Sequence, residues 1–466
     1  MSLTDVLNVT VSVSAASPSA AGFGEPLLFG YHTYYTDLVR EYSTLGGMVS
    51  DGFKVTDPLY LMASAVASQS PAVPKWKIGR RQHALTQKLQ ITCTSTHSTD
   101  VYTIGVRMPG QSTFTIVGPG VTLPSGAVVP GFASTGVVGT DATTLAAALA
   151  TAFTAIGSTA TAAAVGAVVT ITAGTAGVLL DVQPDHAHST FADVTTDASS
   201  YTAADIAAVY AFDPAWYGLA CDSNSLVEIA ALAAWTEANA VGNAGSIFVW
   251  NNTDDVNVSA PSGDTTSAFY AVKHAAYTRS PGILSWTSLL SYSGAAWVGK
   301  LFPTVAGSEQ WAYKTLAGVN YDTLTTSQAS NIAAKNGSVY TQIAGVPVTQ
   351  FGKTPDGEWI DIIRGRDAFV NTLQIQTFAM QLGVQKVPYT DAGMDMYRST
   401  WGGVVQQFQA SGFIAQSPAP TIILPQVAQL PATARAARTI PAGYAFINAQ
   451  LAGAIVYANL SVTLTS

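Results

Sequence analysis

Apolar and polar positions alternate at both ends of the chain. In SLTDVLNVTVSVSA, Leu7, Val9, Val11 and Val13 alternate with Asn8, Thr10, Ser12 and Ser14. In the closing AGAIVYANLSVTLTS, Ala454, Val456, Ala458, Leu460, Val462 and Leu464 share one face, and Ile455, Tyr457, Asn459, Ser461 and Thr463 share the other. A period of two predicts a strand with one buried side at each terminus. No turn or return strand follows the last one. An unpaired strand presents a row of N–H and C=O groups and is a template for another chain. Two readings stay open: pairing within the chain's own domain, or addition to the sheet of a neighbouring subunit.

Between the ends the period changes. Leu59, Met62, Ala63 and Val66 have helical spacing, with Asp57 as the N-cap, Pro58 at the first helical position and Pro71 closing the segment. Beyond it, Leu89, Ile91 and Cys93 alternate, as do Tyr102, Ile104 and Val106, and then Val169, Ile171 and Ala173. One helix interrupts these strands: TLAAALATAFTAI, capped by Thr143 or Thr144 and ending at Gly157. After Ser199 helices and strands mix. LVEIAALAAWTEAN, DTTSAFYAVKHAAY (capped by Asp264) and TTSQASNIAAKNG (stopped by Gly337) predict helices, and SIFVWNN a short buried strand. IDIIRGRDAFVNTLQIQTFAMQLG predicts a strand, begun in WIDII, running into a helix capped by Asp367 and stopped by Gly383. TDAGMDMYRSTWGGVVQQFQASG predicts a helix capped by Thr390 or Asp391 and ending at Gly412.

The expected fold is an α/β (α+β) core built from the N- and C-terminal parts, with an inserted β-rich outer domain and extended terminal strand arms. The boundaries are an N-terminal strand arm over 1–20, a core over 21–85 and 199–445, an inserted domain over 86–198, and a C-terminal strand arm over 446–466. Lys and Arg nearly vanish after Arg107, where Thr, Ala, Gly and Val take over, and this shift marks the insertion.

Composition sharpens the picture. Of 466 residues, 48% are hydrophobic and only 10% charged, against about 25% charged in ordinary soluble domains. So little charge leaves copies of the chain poorly kept apart, and predicts surface buried against other subunits. The net charge of −8 comes without a Lys/Arg run, which argues against direct nucleic-acid binding. Cys93 and Cys221 are isolated, so no disulfide framework is expected. MSLTDVLNVT lacks the basic and apolar regions of a signal peptide, and no apolar run is long enough to insert in a membrane.

Candidate chemistry is sparse. His186 and His188 form the one close histidine pair; on a strand both rings would share a face and offer a metal site, but Asp181 and Asp185 nearby favour a turn. Gly-rich GPGVTLPSGAVVPG lacks the Lys-Ser/Thr of a phosphate loop. The one dense charge cluster, GKTPDGEWIDIIRGRD, carries Lys353, Asp356, Glu358, Asp361, Arg364, Arg366 and Asp367. Its carboxylates suit acid/base catalysis in principle, and ion pairing within or between subunits suits them better. The sequence predicts no catalytic residue, metal or cofactor.

Several stretches resemble contractile phage (myovirus) tail sheath proteins, a family long catalogued as a domain of unknown function. They are the opening SLTDVLNVTVSVSAASPSAAGFGEPLLFG, then WAYKTLAGVNYDTLTTSQASNIAAKNGSVYTQIAGVPVTQFGKTPDGEWIDIIRGRDAFVNTLQIQ, KVPYTDAGM and LAGAIVYANLSVTLT. The resemblance implies a structural protein and not an enzyme: a homopolymer of hexameric rings stacked helically around a tail tube, with baseplate and tail terminator proteins as further partners. It implies a virion tail component assembled in the host cytoplasm, with the insertion pointing outward. The arms at Leu7, Val9, Val11 and Val13, and at Val456, Leu460, Val462 and Leu464, would then link subunits. Glycines beside them, Gly22, Gly24, Gly443 and Gly453, serve as hinges or as ordinary turns. Lys386, Asp391, Asp395, Arg398, Arg435 and Arg438 are candidate contacts to the tube or to neighbouring subunits. The competing reading is a secreted or surface-layer adhesin, favoured by Thr/Ala/Gly richness and opposed by the opening sequence.

Overall fold

A computed structural model describes residues 23–123, 125–196, 200–240, 245–287, 289–454 and 456. The arm residues Leu7, Val9, Val11, Val13, Leu460, Val462 and Leu464 lie outside them. The described residues fall into two compact units, one of 368–452 and one holding the rest.

The larger unit is organised by a five-stranded sheet. Its order is Ile247–Phe248, Gly218–Cys221, Pro26–Tyr31, Trp76–Arg81 and Val39–Tyr42; the first four are parallel and the last is an antiparallel edge. Parallel sheets need cover on both faces, and alternate residues of the central strand supply it. Leu28 packs with Met62, Val66, Trp297 and Leu301, so the helices Pro58–Ala67 and Ser293–Leu301 cover one face. Leu27 and Phe29 pack with Ile206, Ile229, Leu232 and Phe269, from the helices Tyr201–Phe212, Leu226–Ala238 and Ala268–His274 on the other.

Between Trp76–Arg81 and Gly218–Cys221 the chain makes a second set of sheets. The largest runs in the order Thr161–Val165, Val168–Thr172, Lys88–Cys93 and Ser189–Asp193, all antiparallel. Every described strand from Lys88 to Asp193 pairs only within that stretch. The helix Val138–Ile156 covers the sheet through Leu145, Leu149 and Phe153, and these join one core with Met62 and Trp297.

The smaller unit holds the later part of the helix Ile360–Leu382, the helix Asp391–Ala410 and a two-stranded antiparallel sheet, Thr421–Ile423 with Phe446–Asn448. Its small core is Val404, Val405, Phe408, Phe413 and Ile414.

Several local readings change. WIDII is not a strand: Ile360, Ile363, Arg364 and Asp367 are buried along one stripe of the helix Ile360–Leu382. Asp367 therefore sits inside that helix and caps nothing. Asp264 is not a cap either; Ser267 caps the helix Ala268–His274, and Asp264 accepts from the Ser267 backbone N–H at 2.9 Å. The helix predicted from Thr143 or Thr144 begins earlier, at Val138. SIFVWNN splits into Ile247–Phe248 and Trp250–Asn252, which pair with different strands. Tyr102 and Val106 likewise belong to two short strands, with Ile104 between them.

Candidate functional site

The charge cluster resolves into structural pairs. Arg364 is 1% exposed, and its guanidinium reaches Glu309 Oε1 at 2.6 Å and the Phe302 carbonyl at 3.0 Å. Asp367 accepts two bonds from Arg279, at 2.5 and 2.8 Å, and one from Tyr217 Oη at 2.9 Å. Burial, with the Asp367 charge beside it, holds the Tyr217 hydroxyl well above its ordinary range, so it stays a donor. Lys353 lies over the Trp359 ring at 5.1 Å. Asp361 is half-way into a helix turn with its carboxyl pushed up to about 6 by burial. Asp356 accepts from the Thr354 hydroxyl. The functional partners Glu309, Arg279 and Tyr217 carry no local signal in the sequence, because each lies 55 or more residues from the group it holds.

Residues 186–188 form a turn. His186 Nδ1 lies 2.7 Å from Asp255 Oδ1, its ring stacks on Trp286 at 3.8 Å, and His188 Nδ1 lies 3.0 Å from Asp185. Among the described residues no group of His, Cys, Asp or Glu is placed to hold a metal ion. His32 is buried among Tyr34, Tyr35 and Phe53, and burial lowers its ring to about 3, so it is neutral.

The smaller unit presents different features: open backbone and open apolar surface. Its two strands pair in the register Ile422↔Ile447, and among the described residues each has one unpaired edge. Residues 446–452, assigned to the C-terminal arm from sequence, pair inside the chain: Ile414 bridges Leu451, and Ala452 N–H donates to the Phe413 carbonyl at 2.9 Å. Beside the strands lies a groove of about 590 Å³, lined by Phe369, Leu373, Phe378, Trp401, Phe446 and Ile447. Phe378 is 53% exposed and Phe446 47%, so this apolar surface has no cover within the described chain.

All six candidate contact charges are exposed. Lys386 and Arg438 come together on one cavity of about 760 Å³, with Tyr389, Tyr397 and Trp401. Asp395 and Arg398 pair with each other at 3.3 Å, and Arg398 also donates to the Ile422 carbonyl at 2.9 Å. Asp391 accepts from the Val427 N–H at 2.8 Å, and Arg435 reaches the Ala428 carbonyl at 3.5 Å. In the larger unit, Tyr313 Oη donates to the Val456 carbonyl at 3.0 Å, the one contact described for the C-terminal arm residues singled out from sequence. Tyr313 itself sits at φ 58° and is 44% exposed.

Residues 360–420 match the family described as E217 tail sheath protein gp31-like, C-terminal domain. That segment contains IDIIRGRDAFVNTLQIQ and KVPYTDAGM, two of the stretches that carry the resemblance. Among solved structures, the chain is similar to the helical sheath of the anti-feeding prophage (AFP) in its contracted state, at 10% identity over 100% of this chain and 99% of that one, with a TM-score of 0.52. It is also similar to a chain of the AFP baseplate in the contracted state, at 11% identity over 100% and 98%, with a TM-score of 0.51. No curated protein matches the sequence. The likeness to a tail sheath C-terminal domain is confined to residues 360–420, and the chain as a whole shares the fold of the AFP sheath chain.

Proposed function

We propose that this chain is a structural sheath subunit of a contractile tail, without enzymatic activity. It polymerises as stacked hexameric rings around an inner tube and contracts from a metastable extended state, driving the tube through a host envelope. The observation that carries this reading is the small sheet of Thr421–Ile423 and Phe446–Asn448, with open edges and an apolar groove beside it, directly after the segment 360–420 that matches a tail sheath family. An alternating strand such as Leu7–Val9–Val11–Val13 of a neighbouring copy supplies backbone partners for an edge and side chains for the groove. The C-terminal arm beyond Val456 does the same for another copy.

The mechanics follow from that linkage. A heterologous interface that does not close on itself gives an open helical array. Strand pairing holds copies together while side-chain interfaces break and re-form, so subunits move as rigid bodies between two packings of different free energy. The cavity bearing Lys386 and Arg438 suits a polar, reversible contact with the tube or a neighbour. The stretch 86–198, whose strands pair among themselves, suits an outward-pointing domain. Baseplate and terminator proteins would hold the two ends of the polymer, in a virion tail built in the host cytoplasm.

Electron microscopy of the purified full chain tests this. Helical tubes support the reading, and chains lacking residues 1–20 or 453–466 should fail to make them. Planar lattices, or single particles at every concentration, would overturn it.

A further inference from the structure

The sheet of residues 88–193 is closed on one side by acid side chains in place of another strand. Ser189–Asp193 is its edge strand. The inner side of that strand pairs with Lys88–Cys93. On the outer side, Phe191 N–H donates to Asp255 Oδ2 at 2.6 Å and Asp193 N–H donates to Asp254 Oδ1 at 2.7 Å. Asp254 and Asp255 open the 3₁₀ turn Asp255–Val258, which follows Trp250–Asn252 in the α/β part of the unit. Two carboxylates thus tie the self-paired sheets to the α/β sheet region.

A histidine spans the same seam. His186 Nδ1 faces Asp255 Oδ1 at 2.7 Å, and its Nε2 faces the Trp286 carbonyl oxygen at 2.9 Å. Asp255 Oδ1 also accepts from Trp286 Nε1 at 2.9 Å. A carbonyl oxygen only accepts, and so does a carboxylate. A neutral imidazole has one N–H and one lone pair, and satisfies one of these two neighbours; the imidazolium satisfies both. We propose that His186 is a proton-operated latch, whose doubly protonated ring closes the seam between residues 88–193 and the turn at 254–258, and whose loss of a proton loosens it.

The surroundings act in the same direction. The titratable groups of the elements that meet at this seam are Asp185 and His188 of the same turn, Asp255 and Asp254 of the 3₁₀ turn, Asp193 of the edge strand, and Asp322, which accepts from the Trp286 and Thr287 N–H groups. From the helix Thr326–Ala334, packed on the turn, Lys335 follows and is already paired with Asp264. Glu228, whose charge reaches Asp193, is paired with Arg81. Burial raises Asp193 and Asp322 to about 6 and Asp254 to about 8. A carboxyl whose folded value is raised gives stability that is present at low pH and lost as pH rises through that value. Rising pH therefore adds anions at the same seam.

Hydrogen exchange of the full chain, followed at Phe191 and Asp193 and corrected for intrinsic rates, tests the latch. When pH is raised from about 5 to 8, protection there should fall by about tenfold, equivalent to breaking one hydrogen bond. Protection of Leu27, Leu28 and Phe29 in the central strand should not follow it. In H186Q, which has no ring to protonate, the fall should shrink to the part that the raised carboxyls add. A flat native profile overturns the proposal without any variant. So does a fall of native size in H186Q; if D254N then removes it, Asp254 is the sensor, and if not, another group is.

Discussion

Arg364 Nη1 lies 2.6 Å from Glu309 Oε1, and each side chain is 1% exposed. The pair fastens the first turns of the helix Ile360–Leu382 to the segment after Leu301, whose carbonyls at Leu301, Phe302 and Thr304 take further bonds from the same guanidinium. Breaking a buried pair leaves an uncompensated charge, at a cost of about 3–5 kcal/mol. E309Q and R364M should each lower the stability of the unassembled subunit by that order in denaturant unfolding. The double variant should lose clearly less than the two single losses added.

Asp264 and Lys335 make a second buried pair, at 2.5 Å. Burial pushes the Asp264 carboxyl up, but the bonds from Lys335 and Ser267 outweigh it and hold it below the usual carboxylate range. A depressed carboxyl stabilises the fold above its unfolded value, and that stability is lost as pH falls through the folded one. Below about pH 4, the ordinary carboxylate range, the native chain should lose melting temperature faster than D264N. Equal slopes for the two would remove Asp264 from the acid response.

Gly299 is where the helix Ser293–Leu301 meets the helix Pro58–Ala67. A Cβ there would stand 2.6 Å from the Val66 carbonyl oxygen and 2.7 Å from its Cα, and backbone cannot step aside as a side chain does. G299A should cost about 1–3 kcal/mol or more. Gly403, inside the helix Asp391–Ala410, has nothing within 4 Å of the same position. G403A should raise stability by up to about 1 kcal/mol, the helix-propensity gain of alanine over glycine. Thermal melts of the two variants should move in opposite directions.

Tyr313 holds the Val456 carbonyl through its hydroxyl alone, so Y313F isolates that bond. A typical hydrogen bond contributes about 0.5–1.5 kcal/mol. Proteolysis of the C-terminal residues in the unassembled subunit should speed up by about two- to tenfold, the rate equivalent of that energy. Cleavage at the native rate would show that the hydroxyl does not restrain the arm.

Some of this protein was readable from sequence because the information is local. Pro58 starts the helix Pro58–Ala67 after Asp57, Thr390 caps Asp391–Ala410 through Gly393 N–H, and Leu89, Ile91 and Cys93 are buried on one side of their strand. Caps and periodicities act over a few residues, so a short window contains both partners. The tail-sheath stretches within 360–420 were legible for the same reason: they are contiguous.

Tertiary structure decided the rest. WIDII looked like a strand because its isoleucines are β-branched and adjacent; it is helical because Arg364 and Asp367 are buried with Ile360 and Ile363, which requires Glu309 and Arg279 from distant parts of the chain. Lone charges read as solvent-facing until their partners are known. His186 became more than a turn residue only when Asp255 and the Trp286 carbonyl, 69 and 100 residues away, closed on its two nitrogens. Periodicity records which face of an element is apolar, and the fold alone determines what meets a buried polar group.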